Sequence, residues 1–460
     1  MSPDQKRLRA ALALAVGVVL ADSSVVVLAL PEIFRELDVS VTAVTWVLVA
    51  FNLVLALAAL PAAQAARRLG AARVALVGIV IFGVASFVCG ISGSIGLLLA
   101  ARCLQAVGGA AAVCASLELR PSVVGSERRA ATVWAASGAL GAALGPGLGG
   151  LLTELISWQS IFFVQVPVAI FCGAVLAGPA RLERSRERLT AALEPAGRPH
   201  LAANAALALV SAALAAALFL IVLLLIEGWR LTPIGAAAAV TVMPICALGA
   251  APLANRVEST SARAAAGVIL IGGGLAGLGL LPDASVLLTL PPQALVGAGL
   301  ALTLSALTEA ALAGSASQAI HGGWTIAARH AGVVAGLLVL TPVFTADLET
   351  ERADAEQAGI AALLDSSVSP GSKLDLATKI ADRITAEGDK VPVLDPAFEP
   401  LPTDPEQRAA TIDLRDEIQS EVDSAATHAF SASFLIAAGF ALAALIPIGL
   451  ARRREEELEL

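Results

Sequence analysis

Residues 138–150 read GALGAALGPGLGG. Six glycines and one proline sit among residues that are otherwise Ala and Leu. In water a Gly costs a helix about 1 kcal/mol relative to Ala, and a Pro about 3 kcal/mol. In a membrane the balance changes, because small residues let helix backbones approach closely. Neighbouring helices also re-satisfy the backbone groups that a Pro frees. Gly138, Gly141, Gly145 and Gly149 fall on one helical stripe with Gly150 beside them, and Pro146 removes one backbone hydrogen bond and bends the helix. The segment therefore reads as a membrane helix with a smooth face, either for close packing or for rocking against a neighbour.

The rest of the chain agrees with a membrane reading. Of 460 residues 57% are hydrophobic and only 15% charged, against about 25% charged in a soluble domain. The mean hydropathy is +0.81. Apolar stretches of membrane-crossing length, about 20 residues, recur near 10–31, 42–63, 73–94, 96–117, 131–153 and 160–180. Six more lie near 203–227, 233–254, 262–282, 285–308, 325–346 and 430–450. The runs are continuous and rich in Ala and Leu, not alternating, so a barrel is excluded. The first is too long for a signal-peptide core and has no clear small-residue cleavage site, so it counts as a span. The expected fold is an all-α membrane protein of twelve transmembrane helices in two pseudo-symmetric six-helix bundles.

Lys and Arg in the short loops fix the orientation. One side carries Lys6, Arg7, Arg9, Arg67, Arg68, Arg73, Arg120, Arg128, Arg129, Arg256 and Arg263, with a charged linker at 181–200. The other offers little beyond Arg35 and Arg230. Both termini are expected in the cytoplasm, at the cell membrane. The organisation expected is an N-terminal bundle over 1–180, a linker over 181–200 and helices 7–11 over 201–346. An acidic extracytoplasmic insertion over 347–428, a last helix over 429–451 and a tail over 452–460 follow.

The net charge of -8 is uneven. Segment 347–428 holds 19 Asp and Glu against 7 Lys and Arg, leaving the remainder basic. Two helices are expected inside it. One starts at 404, where Asp404 caps and Pro405 suits the first position, with Leu414, Ile418 and Val422 on one stripe. The other covers 372–388, with Leu376, Ile380 and Ile384 aligned and Gly388 as the stop. The insertion reads as a small helical cap, either packed on its own protein or serving a partner or substrate entry.

Ionisable groups inside a span are costly and mark function by default. Asp22 lies about halfway through span one, where its role would be to take a proton from one side and release it on the other. Its alternative role is a structural hydrogen bond to Ser23, Ser24 or neighbouring backbone. Arg102 in span four cannot carry a proton itself, but it lowers a carboxylate's proton affinity or holds a substrate. Gln105 is three residues on, on the same helix face. Asn52 and Gln165 are candidate polar points of a substrate cavity. Glu118, Glu154, Glu227 and Glu309 read as solvated helix ends. Arg329 and His330 read as the inner entry of span eleven, with His330 an interfacial group or a pH sensor. His200, His321 and His428 receive no role. The five cysteines all lie within spans with no CxxC spacing, so no disulfide framework or metal site is expected.

Several motifs together resemble one family. Gly141-x3-Gly145-Pro146-x2-Gly149-Gly150 resembles the span-five motif of the drug:proton antiporters of the major facilitator superfamily. SWQSIFFVQVPVAI (157–170) is similar to the family's run into span six, with Gln165 where Asn is usual. LADSSVVVLALPEI (20–33) resembles the span-one motif through Asp22 and Pro31, and RCLQAVGGAAA (102–112) the span-four motif through Arg102, Gln105 and Gly108. The loop after span two departs. The family pattern is Gly-x3-Asp-Arg-x-Gly-x-x-Arg, whereas this chain has Ala63, Arg67, Arg68, Gly70 and Arg73. Arg67 replaces the acid, and Asn255-Arg256 lacks it in the second half too, so the cytoplasmic latch that the family builds there is weakened or rebuilt.

The resemblance implies secondary active transport by alternating access, with proton antiport exporting a small amphipathic compound. The substrate and protons are the expected partners, in a lipid bilayer, by a monomer. Aromatics are only 4% and Tyr is absent, which suits an apolar cavity better than a sugar site. No phosphate-binding loop, cofactor motif, metal site, enzymatic constellation or basic nucleic-acid surface is present in the sequence. A carrier of a specific metabolite or lipid-like molecule, and a non-transporting sensor or assembly partner, remain as alternative functions.

Overall fold

The computed structural model describes residues 3–124, 127–186, 199–254, 256–312, 318–387 and 394–451. Among these the fold is all helix, with no strand. Span one comprises α1 (Pro3–Val27) and a short α2 (Leu30–Glu36). Spans two to five are α3 (Val41–Leu69), α4 (Ala71–Gly90), α5 (Ile95–Val124) and α6 (Glu127–Leu155). Span six is α7 (Ser160–Phe163) running into α8 (Gln165–Arg186). The second set begins with α9 (Leu201–Leu223), which ends in a π-turn over Leu224–Gly228. Then come α10 (Pro233–Val240) with α11 (Val242–Ala254), α12 (Thr260–Gly279), α13 (Val286–Leu312) and α14 (Gln318–Asp365). The chain closes through α15 (Pro370–Glu387), α16 (Pro405–Ala429) and α17 (Ser431–Ala443). Eleven of the described helices are long and apolar enough to cross a membrane by length and composition. The glycine-bearing α6, 29 residues long and packed on α1, covers the remaining span expected from the sequence.

The packing repeats between halves. Span one packs on span five as span seven packs on span eleven, and span two on span four as span eight on span ten. Spans three, four and six pair as spans nine, ten and twelve do. Small residues make these seams. A Cβ added at Gly141 would meet the Gly17 backbone, one at Gly145 the Ser24 side chain, and one at Gly149 the Val25 backbone. Gly332 and Gly336 press the same way on the Ala208 and Ala212 backbone in the second half. Gly78 and Gly108 bring α4 and α5 together likewise. Helix α6 runs on through Pro146. Of the stripe, Gly150 alone faces the other bundle, against Ala237 and Pro233.

Two regions join the bundles. Helices α3 and α14 pack along one side, with Gly323 on Ala63. At the insertion end, Arg35 pairs with Glu227 at 2.9 Å. There too the Glu154 carboxylate accepts from the Ile234 N–H at 2.6 Å, at the start of α10, where the helix dipole favours an anion. Both acids thus tie one half to the other; Glu154 does so while still exposed at its helix end, whereas Glu227 is half-buried. Glu309 pairs with Arg263 at 2.8 Å within the second half.

Gly70, between α3 and α4, has φ 97°, a left-handed conformation that a side chain disfavours. Arg67 and Arg73 on either side are half-buried and Arg68 is exposed.

The insertion departs most from expectation. Span eleven was expected over 325–346, but α14 runs unbroken for 48 residues, roughly 70 Å at 1.5 Å per residue. Residues 347–364 are rich in Ala, Glu and Leu and free of Pro, so the helix continues where hydropathy falls. Beyond the membrane-length part the insertion has its own core, built around Leu363, Val368, Leu376, Phe398, Leu414 and Ile418. Ile380 and Val422 pack at its edge; Gly388 and the side chain of Ile384 lie outside the described residues. The Trp229 Nε1–H donates to Thr427 Oγ1 at 3.0 Å and Arg230 donates to Gln419 Oε1 at 2.8 Å, seating the insertion on span seven.

Asp404 is the N-cap of α16, accepting from the Gln407 N–H at 3.0 Å. Asp404→Ala is expected to cost about 1 kcal/mol, read as faster amide exchange over the first turn of α16 with the membrane spans unchanged.

Candidate functional site

Asp22 is fully buried in α1. Facing it from α5 is Arg102, also fully buried, whose Nη1 donates to Asp22 Oδ2. Nη1 also reaches Gln105 Oε1 at 2.6 Å, and Nε donates to the Val47 carbonyl at 3.3 Å. The guanidinium lies over the Phe51 ring, 4.1 Å from its centroid, and 5.7 Å from that of Phe162. Both contacts suit a planar cation held away from water. The other carboxylate oxygen accepts from Gln165 Nε2 at 2.8 Å and from Gln105 Nε2 at 3.3 Å. Ser86 closes the ring: its hydroxyl donates to Gln165 Oε1 at 2.9 Å and accepts from Gln105 Nε2 at 2.9 Å.

Four helices thus converge on one carboxylate. Asp22 sits mid-helix on α1, and Arg102 and Gln105 share a face of α5 at i and i+3. Gln165 enters from the first turn of α8 and Ser86 from α4. Gln165 was expected to line a cavity; the structure places it as a direct ligand of Asp22. Ser86, the Val47 carbonyl, Phe51 and Phe162 went unremarked in the sequence. Arg102 Nη2 is buried with no hydrogen-bond partner among the described residues, so the cation has unused donor capacity beside the pair. A carboxylate held by one cation and two amides can exchange that cation for a proton, or cede it to another ligand.

Asn52 stands close by. Its side chain donates to the Leu48 carbonyl at 2.8 Å and accepts from the Ser23 hydroxyl at 3.5 Å, one residue from Asp22. From the other bundle, His330 Nδ1 lies 2.6 Å from Asn52 Oδ1. Arg329 and His330 are therefore not at the entry of span eleven: the helix begins at Gln318, and residues 321–324, ahead of the expected start near 325, are helical.

Two six-helix bundles enclosing a buried ion pair in one of them, next to the seam between them, define a polytopic carrier of the two-bundle kind. The chain belongs to the Major Facilitator Superfamily, which its residues 12–342 match. Among curated relatives, the tetracenomycin C resistance and export protein of Streptomyces glaucescens is 35% identical over 190 residues, covering 38% of this chain and 34% of that protein. The methylenomycin A resistance protein of Bacillus subtilis is 35% identical over 160 residues, 34% of each. The multidrug efflux pump LfrA of Mycolicibacterium smegmatis is 33% identical over 181 residues, 39% of this chain and 36% of that protein. The matched stretches span about a third of each relative. In fold, the chain is similar over 97% of its length to an inward-facing, unoccupied bacterial homologue of the lysosomal transporter Spinster, with TM-score 0.59 and 16% identity. The occupied form of that homologue gives TM-score 0.61 at 17% identity over 98%.

Proposed function

We propose that this protein exports small amphipathic compounds in exchange for protons, by alternating exposure of a site between its two bundles. The observation that carries this reading is the Asp22–Arg102 pair, fully buried yet built of groups that can part. Protonating Asp22 neutralises it and frees Arg102, which then shifts towards a substrate or another acceptor. Losing the proton restores the pair. Gln105 and Gln165 hold the carboxyl in place in either form, since an amide both donates and accepts. The export and resistance names of the relatives support the substrate class. Basic loops support cytoplasmic termini and an insertion on the outer face. In this scheme residues 1–180 rock against 201–346 with 429–451, joined by 181–200 and topped by 347–428. Arg67, Arg68, Gly70 and Arg73 border the inner gate, and the stripe from Gly138 to Gly149 with Pro146 holds span five to span one while Gly150 meets the other bundle.

The test uses purified protein in liposomes with a pH-sensitive dye inside, an imposed proton gradient and a panel of cationic and neutral amphipathic compounds. Compound-dependent proton flux is expected from the wild type and none from Asp22→Asn. Flux that survives in Asp22→Asn would move the proton site elsewhere. No flux with any compound would sink the antiport reading.

A further inference from the structure

His330 stands twelve residues into α14, about 18 Å along the helix, and is 7% exposed. Its contact with Asn52 crosses from one bundle to the other. The Asn52 amide is not free to turn, because its Nδ2 donates to the Leu48 carbonyl. Oδ1 is therefore the acceptor that faces His330, and Nδ1 must carry the hydrogen. In the neutral ring Nε2 is then a bare lone pair. It is buried and has no hydrogen-bond partner among the described residues. A buried acceptor left without a donor is costly to keep, and through its other nitrogen and Asn52 this ring is two hydrogen bonds from Ser23, the residue after Asp22.

Few charges face the crossing. On α14 itself the neighbour is Arg329, half-buried, with His321 and Asp347 towards the helix's far reaches. Helix α1 brings Asp22, and α5 brings Arg102, already paired with it, and Glu118 near its end. Helix α3 has no charged residue before Arg67, α9 has none, and α13 brings Glu309, paired with Arg263. Helix α17 has none; α16, with Asp423 and His428, belongs to the insertion end.

We infer that His330 is a second proton site, carried by the C-terminal bundle, and that the His330–Asn52–Ser23 crossing links its protonation to the contact between bundles. The protonation stands by itself; its place in a transport cycle rests on the antiport reading. A proton taken from water onto Nε2 gives the ring two donors and a positive charge. While α3 and α14 touch, only Nδ1–H has an acceptor, and Arg329 adjoins the new charge. The second N–H and the charge are satisfied only by water entering the seam. Uptake of the proton therefore favours parting at this crossing, and its release to water favours closure. The parted arrangement binds the proton more tightly, so falling pH opens the crossing and rising pH closes it. Asp22 and His330 report to opposite bundles.

The test is 15N-histidine magnetic resonance on the full chain in lipid vesicles, which is tractable because the chain has four histidines. His330→Gln, which keeps a donor for Asn52 but binds no proton, assigns the signal; His330→Asn serves if the Gln variant fails to fold. At pH 8 the His330 ring is expected with hydrogen on Nδ1 and Nε2 bare. Stepping the pH down from 8 to 3 is expected to protonate Nε2, and Asn52→Ala to shift that titration and remove the Nδ1 preference. A hydrogen on Nε2 in the neutral ring, a ring still neutral at pH 3, or a titration unchanged in Asn52→Ala would overturn the inference. The liposome assay separates this from the antiport reading. If exchange occurs, His330→Gln is expected to flatten its pH dependence; if no compound drives flux, the antiport reading fails while the histidine titration is still read.

Discussion

Arg102→Ala is expected to destabilise the purified protein by about 3–5 kcal/mol, the penalty of stranding a buried charge. Asp22 would keep its amide donors, Gln105 and Gln165, but lose its only cation among the described residues. The guanidinium also fills the space over Phe51, so the variant leaves a void as well. The double variant Asp22→Asn with Arg102→Met removes both charges and most of the void. It is expected to recover most of the lost stability, because replacing a whole buried pair is far cheaper than breaking it, while compound-driven proton flux stays absent. Thermal unfolding of the two variants in detergent, beside the flux assay, checks this. Equal stability of Arg102→Ala and wild type would show that the pair does not hold the bundle.

Gly141→Leu is expected to prevent assembly of the N-terminal bundle. A side chain there meets the Gly17 backbone, which cannot swing aside as a flexible side chain can. The loss should exceed the roughly 1–3 kcal/mol of ordinary overpacking. Gly147→Ala, in the same short stretch, is the control: the nearest atom to its added Cβ is Thr241 Oγ1 at 3.8 Å. Gel filtration of fluorescently tagged variants should give a monodisperse peak for Gly147→Ala and aggregate for Gly141→Leu. Two normal peaks would mean that span one gives way more readily than its backbone contacts imply.

The two variants also mark how far the sequence reading reaches. Spacing placed Gly141 and Gly145 on one stripe but did not name its partner, since an i, i+4 pattern fixes a face and not what it meets. The equivalent seam in the second half, Gly332 with Gly336, lies inside the expected span 325–346, but two isolated glycines among Ala, Val and Leu stand out far less than six in thirteen residues. Hydropathy sees the apolar part of a helix and not its polar continuation. The same blindness ended α14 at 346 and put His330 at an entry. Asp404 and Pro405, by contrast, are local signals, and the helix begins where they place it. Asp22, Arg102 and Gln105 were legible singly, as polar groups in apolar spans. That Gln165 and Ser86 close the same ring depends on the meeting of α8 and α4 with α1, which no local pattern encodes.

The long α14 has a mechanical consequence. Its part beyond residue 346 is one unbroken rod with span eleven, and α16 continues through a single turn at Phe430 into α17. The insertion thus stands on two stiff legs rooted in the same half of the molecule. Any tilt of that half sweeps the tip through an arc, about 5 Å for each 10° over the roughly 28 Å by which the rod extends past residue 346. The tip works as a pointer, and a fluorophore pair between it and the short loop at 38–40 would turn small rotations inside the bilayer into distance changes outside it. In the proposed rocking scheme, a binder that clamps the pointer would, by the same leverage, stall the rotation.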